Sequence, residues 1–220
     1  MLETLALALC LEDVFGRDRF AVDPRLVGEV VGAVCEDLQW QELPSELIPT
    51  LALQRRLVGW LEGSGRAVRK RPRVQRESGC ILLYQASRDG FEPAEFHRCC
   101  DNMGATVTVA KSGENVFGGY TSMSWGENMS RTDPYAWKFS LVGPNGAAIK
   151  FPVKGAGWLA IASVENYGPV FGGFQLCPKR EHKKSCDFQT NIYHNMSRGG
   201  SPLTGHARFE VDDYEVFGLC

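Results

Sequence analysis

One continuous block, Leu82 to Trp125, constrains the fold more than any other part of the chain. It reads LLYQASRDGFEPAEFHRCCDNMGATVTVAKSGENVFGGYTSMSW. CILLYQA, running into it from Cys80, is an apolar run of strand length. Pro93 opens a short helix that carries Phe96, His97 and Cys100. In ATVTVA, Thr106 and Thr108 alternate with Val107 and Val109, the pattern of a strand with one covered face. SGEN reads as a turn and VFGGYTS as the next strand. The block therefore dictates strand, turn, short helix and two further strands within 44 residues.

The same period continues downstream. AWKFSLV and AAIKFPV flank Gly143-Pro144-Asn145-Gly146, a hairpin signal. WLAIASV and VFGGFQL read as two more strands, and residues 178–207 as polar loop. RFEVDDYEVFG closes the chain as strand, with its apolar parity shifting at Asp212-Asp213, which predicts a bulge or corner. Many strands and few late helices give an α+β, mainly β class: a two-sheet antiparallel β-sandwich with flanking short helices.

Upstream, the pattern is helical. One helix is expected from about Leu2 to Val14 and a second from Asp23-Pro24, a capping oxygen followed by proline. A third follows Pro49, with Leu53, Leu57, Val58 and Leu61 on one side and Gly63 beyond its end. Residues 1–44 are expected to be an N-terminal helical segment and 45–220 the sandwich domain. Inside that domain and ahead of the block, residues 63–79 hold Arg66, Arg69, Lys70, Arg71, Arg73 and Arg76, which read as an exposed basic loop insert.

Composition limits function more than it defines it. The net charge of −2 gives no whole-chain field for nucleic acid or an anionic membrane. MLETLALALCLEDVF has an acidic residue at Glu3, no basic leader and an apolar run ending at Glu12, so no signal peptide is expected. No run of 18 apolar residues calls for a membrane span. The expectation is a reduced, cytoplasmic protein whose eight cysteines are mostly small core residues. The two Asn-Met-Ser sequons, at Asn128 and Asn195, carry no weight in that setting.

Candidate chemistry is sparse. Arg88 and Asp89, at the end of the first strand, offer a recognition surface or a structural turn in which Gly90 takes positive φ and Phe91 enters the core. His97 is a binding candidate, and Cys99 and Cys100 beside it are redox candidates; a nucleophilic pair would need a depressed thiol pKa. Cys177, His182, Cys186 and His194 are the metal candidates. Their cysteines lie further apart than a structural zinc knuckle, with Lys179, Arg180, Lys183 and Lys184 among them, so no metal and no cofactor is expected. Lys179, Arg180, His182 and Lys183 also form a cationic binding candidate. The repeated V-F-G-G, at Val116 and Val170, lacks the helix and lysine of a phosphate cradle and reads as close backbone packing. There is no G-x-S-x-G, H-E-x-x-H or Walker sequence.

LLYQASRDGF, FHRCCDNMGATVTV, NVFGGYTSMSW, AWKFSLVG, YGPVFGGFQL and FEVDDYEVFGL together resemble the TLDc domain, in order and at similar spacing. QLCPKREHKKSCDFQTNIYHNMSRGG, after the second Gly-Gly run, departs from animal oxidation-resistance members and resembles divergent invertebrate and protist ones. The resemblance implies a β-sandwich that acts through protein contacts, with links to oxidative-stress resistance and to regulation of the vacuolar proton pump (V-ATPase). The partner surface would then be the loops at 126–134 and 178–207. Two alternatives stand beside it. One is a redox-active or hydrolytic enzyme using Cys99, Cys100 or an acidic site; the other is an adaptor whose helical N-terminus drives oligomerisation.

Overall fold

The computed structural model describes residues 43–64, 80–144, 146–177, 183–187, 192–194 and 201–219. The two helices expected before residue 42, the basic segment, and Lys179, Arg180 and His182 lie outside these residues. The helix expected after Pro49 is α1, Leu51–Glu62. The Thr50 hydroxyl accepts the Leu53 amide at its start, and Leu57, Val58 and Leu61 are its buried residues. Ser64, just past its end, donates to the Trp60 carbonyl and accepts the Trp137 indole N–H.

Among the described residues, twelve strands form two six-stranded sheets in which every strand pair is antiparallel. Numbered in chain order, the first sheet runs β1 (Cys80–Gln85), β12 (Asp213–Leu219), β2 (Thr106–Ser112), β3 (Asn115–Thr121), β5 (Trp137–Val142), β6 (Ile149–Pro152). The second runs β11 (Arg208–Glu210), β10 (Lys184–Asp187), β9 (Phe174–Gln175), β8 (Val170–Phe171), β7 (Ile161–Ser163), β4 (Met129–Arg131). The fold is the mainly β sandwich with short flanking helices that the sequence predicts. The corner expected at Asp212-Asp213 is where the chain leaves β11 of one sheet and enters β12 of the other. The Asp212 carboxylate fixes it by accepting the Gly113 amide of the β2–β3 turn at 2.7 Å.

Four local expectations need correction. Thr106 and Thr108 are as buried as Val107 and Val109, because the first sheet is covered on both faces. Val107, Val109, Tyr120, Trp137 and Phe139 pack with Leu43, Ile48, Leu57, Val58 and Leu61, while Ala110, Phe117 and Val216 pack with Phe171 and Phe174 of the second sheet. Residues 184–187, expected as loop, form β10, with Ser185 and Asp187 buried. VFGGFQL is not one strand but the tight β8–β9 hairpin, turning at Gly172, whose φ is +57°. WLAIASV is strand only over Ile161–Ser163, and Trp158 and Leu159 lie outside it, exposed.

The two V-F-G-G motifs thus do different work, and they meet. Gly118 and Gly119 lie inside β3, where the Phe171 ring lies so close to Gly119 that an added Cβ would sit 2.7 Å from it. Phe171 comes from the second V-F-G-G, stacks on Phe174 and meets Trp125 edge to face. Beside them Lys138, on β5, reaches Asp187, on β10, at 2.8 Å; both side chains are 0% exposed. Asp187 also accepts from the Ser201 hydroxyl, and the Lys138 ammonium faces the Tyr193 ring 4.9 Å away. This ion pair joins the two sheets inside the core.

A second buried carboxylate fastens the segment before α1. Glu215, on β12, accepts from the Ser45 hydroxyl and the Glu46 amide. Burial raises its pKa above the ordinary 4.5, and those hydrogen bonds oppose the rise. The folded state therefore holds this proton more tightly than the unfolded chain does. Its contribution is complete at pH values below 4.5 and is lost as pH climbs through the raised folded value. A Glu215→Gln variant keeps an acceptor for the Glu46 amide and a donor for Ser45. Its melting temperature should gain on wild type as pH rises from about 4 to about 7. A gap between the two that stays constant across that window would remove Glu215 as the source.

Candidate functional site

The chemistry-bearing residues of the block meet the second sheet at one edge. After β1 the chain makes a single helical turn, α2 (Ala86–Asp89), ended by Gly90 at φ +104°. Pro93, at the first helical position, starts α3 (Pro93–Cys100). Phe96 and Cys100 of α3 enter the core between the sheets, and this turns His97 towards the β7–β8 loop. His97 Nε2 lies 3.1 Å from the Val164 carbonyl and 3.2 Å from that of Tyr167. Both are acceptors, so Nε2 carries a hydrogen. Nδ1 faces the Asp101 carboxylate at 2.8 Å.

A cleft of about 470 Å³ opens beside this pair. Ala94, His97, Asp101, Gly126, Glu127, Asn128, Ser163 and Glu165 line it. Its far wall is an unusual turn: Gly126, Glu127 and Asn128 have φ of +108°, +65° and +40° in succession. Three side chains hold the turn. Ser163 Oγ accepts the Gly126 amide at 2.7 Å, Asn128 Oδ1 accepts the Glu165 amide at 3.3 Å, and Glu127 pairs with Arg131. Positive φ outside glycine is uncommon, and a run of it marks a loop shaped by its surroundings.

The other singled-out residues are dispersed. Arg88 and Asp89 pair at 2.7 Å beyond the end of β1. The guanidinium beside Asp89 holds its carboxyl below the usual carboxylate range, and Asp89 also accepts the Gln85 amide. Phe91 is only partly buried, with the Lys183 ammonium 4.3 Å over its ring, rather than seated in the core. Cys99 and Cys100 are not equivalent, since Cys100 is buried and Cys99 only partly so. Burial pushes the Cys100 thiol well up, away from the thiolate that redox chemistry uses. Cys177 is buried too, its thiol pushed up to about 12. The Cys186 thiol lies 3.7 Å from the Gln175 side-chain oxygen, and the His194 amide donates to the Pro152 carbonyl. Among the described residues no three His, Cys, Asp or Glu side chains are grouped to hold a metal ion.

The cleft combines carboxylates with an already engaged imidazole. His97 faces protein oxygens at both ring nitrogens, so both are already engaged within the protein. What the lining does offer is negative charge: Asp101, Glu127 and Glu165, with no lysine or arginine among the lining residues. Sequence reasoning found His97 and the 126–134 loop but missed Asp101, Ser163 and Glu165. The four-residue spacing from His97 to Asp101 was the available signal for that pair. Ser163 and Glu165 carried none, because the β4–β7 pairing brings them in.

No curated protein matches the chain. A family model described as the TLDc domain matches residues 67–220, a range that holds all twelve described strands and every residue of the cleft. The chain belongs to the TLDc family.

Proposed function

We propose that this protein is a non-catalytic, cytoplasmic interaction module that receives a lysine or arginine of a protein partner in the cleft. The partner on this reading is the vacuolar proton pump, and the cellular role is resistance to oxidative stress. Family membership makes a protein-interaction module the starting expectation. The observation that carries the cleft reading is its lining of three carboxylates around a rigidly held turn. Arg131 already occupies Glu127, and Asp101 faces His97, which leaves Glu165 as the carboxylate with no cation against it among the described residues. A partner's guanidinium or ammonium entering there gains charge-assisted hydrogen bonds without displacing a core contact.

Affinity capture from the native cell tests the reading. The full wild-type chain should enrich proton-pump subunits, and a Glu165→Gln variant should enrich them at least several-fold less, with unchanged melting temperature. Capture that recovers no pump subunits would sink the partner; equal capture by both chains would sink the cleft.

A further inference from the structure

A different corner of the molecule carries an unassigned feature. Trp158 is 74% exposed and Leu159, next to it, 59%. The other described tryptophans are treated differently: Trp125 and Trp137 are buried and Trp60 is packed against the core. Tyr135, on the neighbouring turn, is 40% exposed. Adjacent large apolar side chains held out in water mark a contact surface more often than scattered ones do.

The tip is held rigidly. Gly155, Gly157 and Leu159 have φ of +57°, +71° and +55°. Gly157 exchanges backbone hydrogen bonds with its surroundings, its carbonyl accepting the Asp133 amide and its amide donating to Lys154. It lies so close to the Asp133 backbone that an added Cβ would meet the carbonyl oxygen at 2.3 Å. Ala160, immediately after the tip, is fully buried. The loop therefore presents Trp158 and Leu159 to solvent from a hydrogen-bonded backbone, which lowers the ordering needed on binding.

Charge around the tip indicates what it meets. Residues 149–163, IKFPVKGAGWLAIAS, contain two lysines and no carboxylate. Residues 192–194, hydrogen-bonded to 152–154, add a histidine and no carboxylate. The carboxylate of the adjoining turn, Asp133, is fully buried and accepts from Thr121, Ser122 and Tyr135. Glu127 is held by Arg131. An exposed tryptophan and leucine, flanked by a tyrosine and an exposed lysine, match the headgroup layer of a bilayer. There an amphipathic ring sits between water and hydrocarbon, and an ammonium sits among phosphates. Among the described residues no helix is long and apolar enough to cross a membrane.

We propose that Trp158 and Leu159 form a membrane-surface anchor that inserts into the headgroup region of a phospholipid bilayer, with Lys154 at the level of the lipid phosphates. The anchor stands apart from the cleft and does not depend on its occupant.

Vesicle flotation of the full chain tests it, using phosphatidylcholine vesicles and vesicles with about 30% phosphatidylserine. The wild type should float with both and partition roughly fivefold better with the anionic ones, the effect of one lysine near the surface. Trp158→Ala should lower the partition roughly tenfold or more on both vesicles, and Trp158→Phe should restore part of it. Leu159→Asn keeps a residue that tolerates positive φ and removes the apolar chain, and should also weaken flotation. Both side chains are exposed, so the melting temperature should not move. A wild type that ignores both vesicles assigns the tip to a protein surface and overturns the proposal. Flotation confined to anionic vesicles and indifferent to both variants assigns binding to the basic segment, Arg66 to Arg76, and overturns it equally.

Discussion

Asp187→Ala should cost about 3–5 kcal/mol of stability, because it strands the Lys138 ammonium in the core. Lys138 and Asp187 are 0% exposed, and the Tyr193 ring face that also meets the ammonium cannot replace a carboxylate. Burial already lowers the Lys138 pKa, against the opposing pull of Asp187. Without Asp187 the depression deepens, so the unfolded chain binds the proton more tightly than the folded one. The variant's stability should then rise with pH towards the unfolded lysine value of 10.5. Urea unfolding at about pH 7 and about pH 9.5 reads both effects. A paired Lys138→Met/Asp187→Asn chain, which removes both charges, nearly keeps the volume and leaves an acceptor for the Ser201 hydroxyl, should recover most of the loss. A single variant that unfolds at the wild-type midpoint at both pH values would show that the pair contributes nothing.

The second large effect belongs to Gly118→Ala, expected at about 3 kcal/mol or more by the same measurement. A Cβ there would lie 1.9 Å from the Thr108 carbonyl oxygen and 2.8 Å from the Phe139 ring. The first obstacle is backbone of the paired strand, so relief requires parting β2 from β3 in the middle of the first sheet. Gly119→Ala meets a side chain instead, the Phe171 ring, and should cost less, about 1–3 kcal/mol. Gly59→Ala is the control: no atom lies within 4 Å of its added Cβ, and on a helix it should gain about 0.5–1 kcal/mol. Equal costs at 118 and 59 would contradict the packing described for β3.

The sequence was legible wherever local period and turn chemistry decide the outcome. The strands of the Leu82–Trp125 block, the helix after Pro49, the β5–β6 hairpin and the corner at Asp212 all follow from neighbours a few residues apart. What escaped depends on partners far away in the chain. Thr106 and Thr108 look like an exposed face until Trp125 is found donating its indole N–H to Thr106. β10 hides because its inward residues are Ser185 and Asp187, polar side chains whose burial makes sense only with the Cys177 amide on the first and Lys138 and Ser201 on the second. The two V-F-G-G copies are identical as strings and differ in role. Neighbouring strands enclose the first, while the second must reverse the chain after Tyr167-Gly168-Pro169. The cleft was half visible: His97 stood out by type, whereas Glu165 arrives only through the sheet order.

The lid that residues 43–62 make over the first sheet has a consequence for where this domain starts. The family signature begins at residue 67, yet Leu43, Ile48, Leu57, Val58 and Leu61 supply one wall of a core whose other wall is β2, β3 and β5. Glu215, near the chain's end, is bound to Ser45, well before the signature opens. The stretch recognisable by descent is thus shorter than the stretch that must be synthesised together for the sheet to be dry on both sides, and the physical unit starts at least 24 residues earlier.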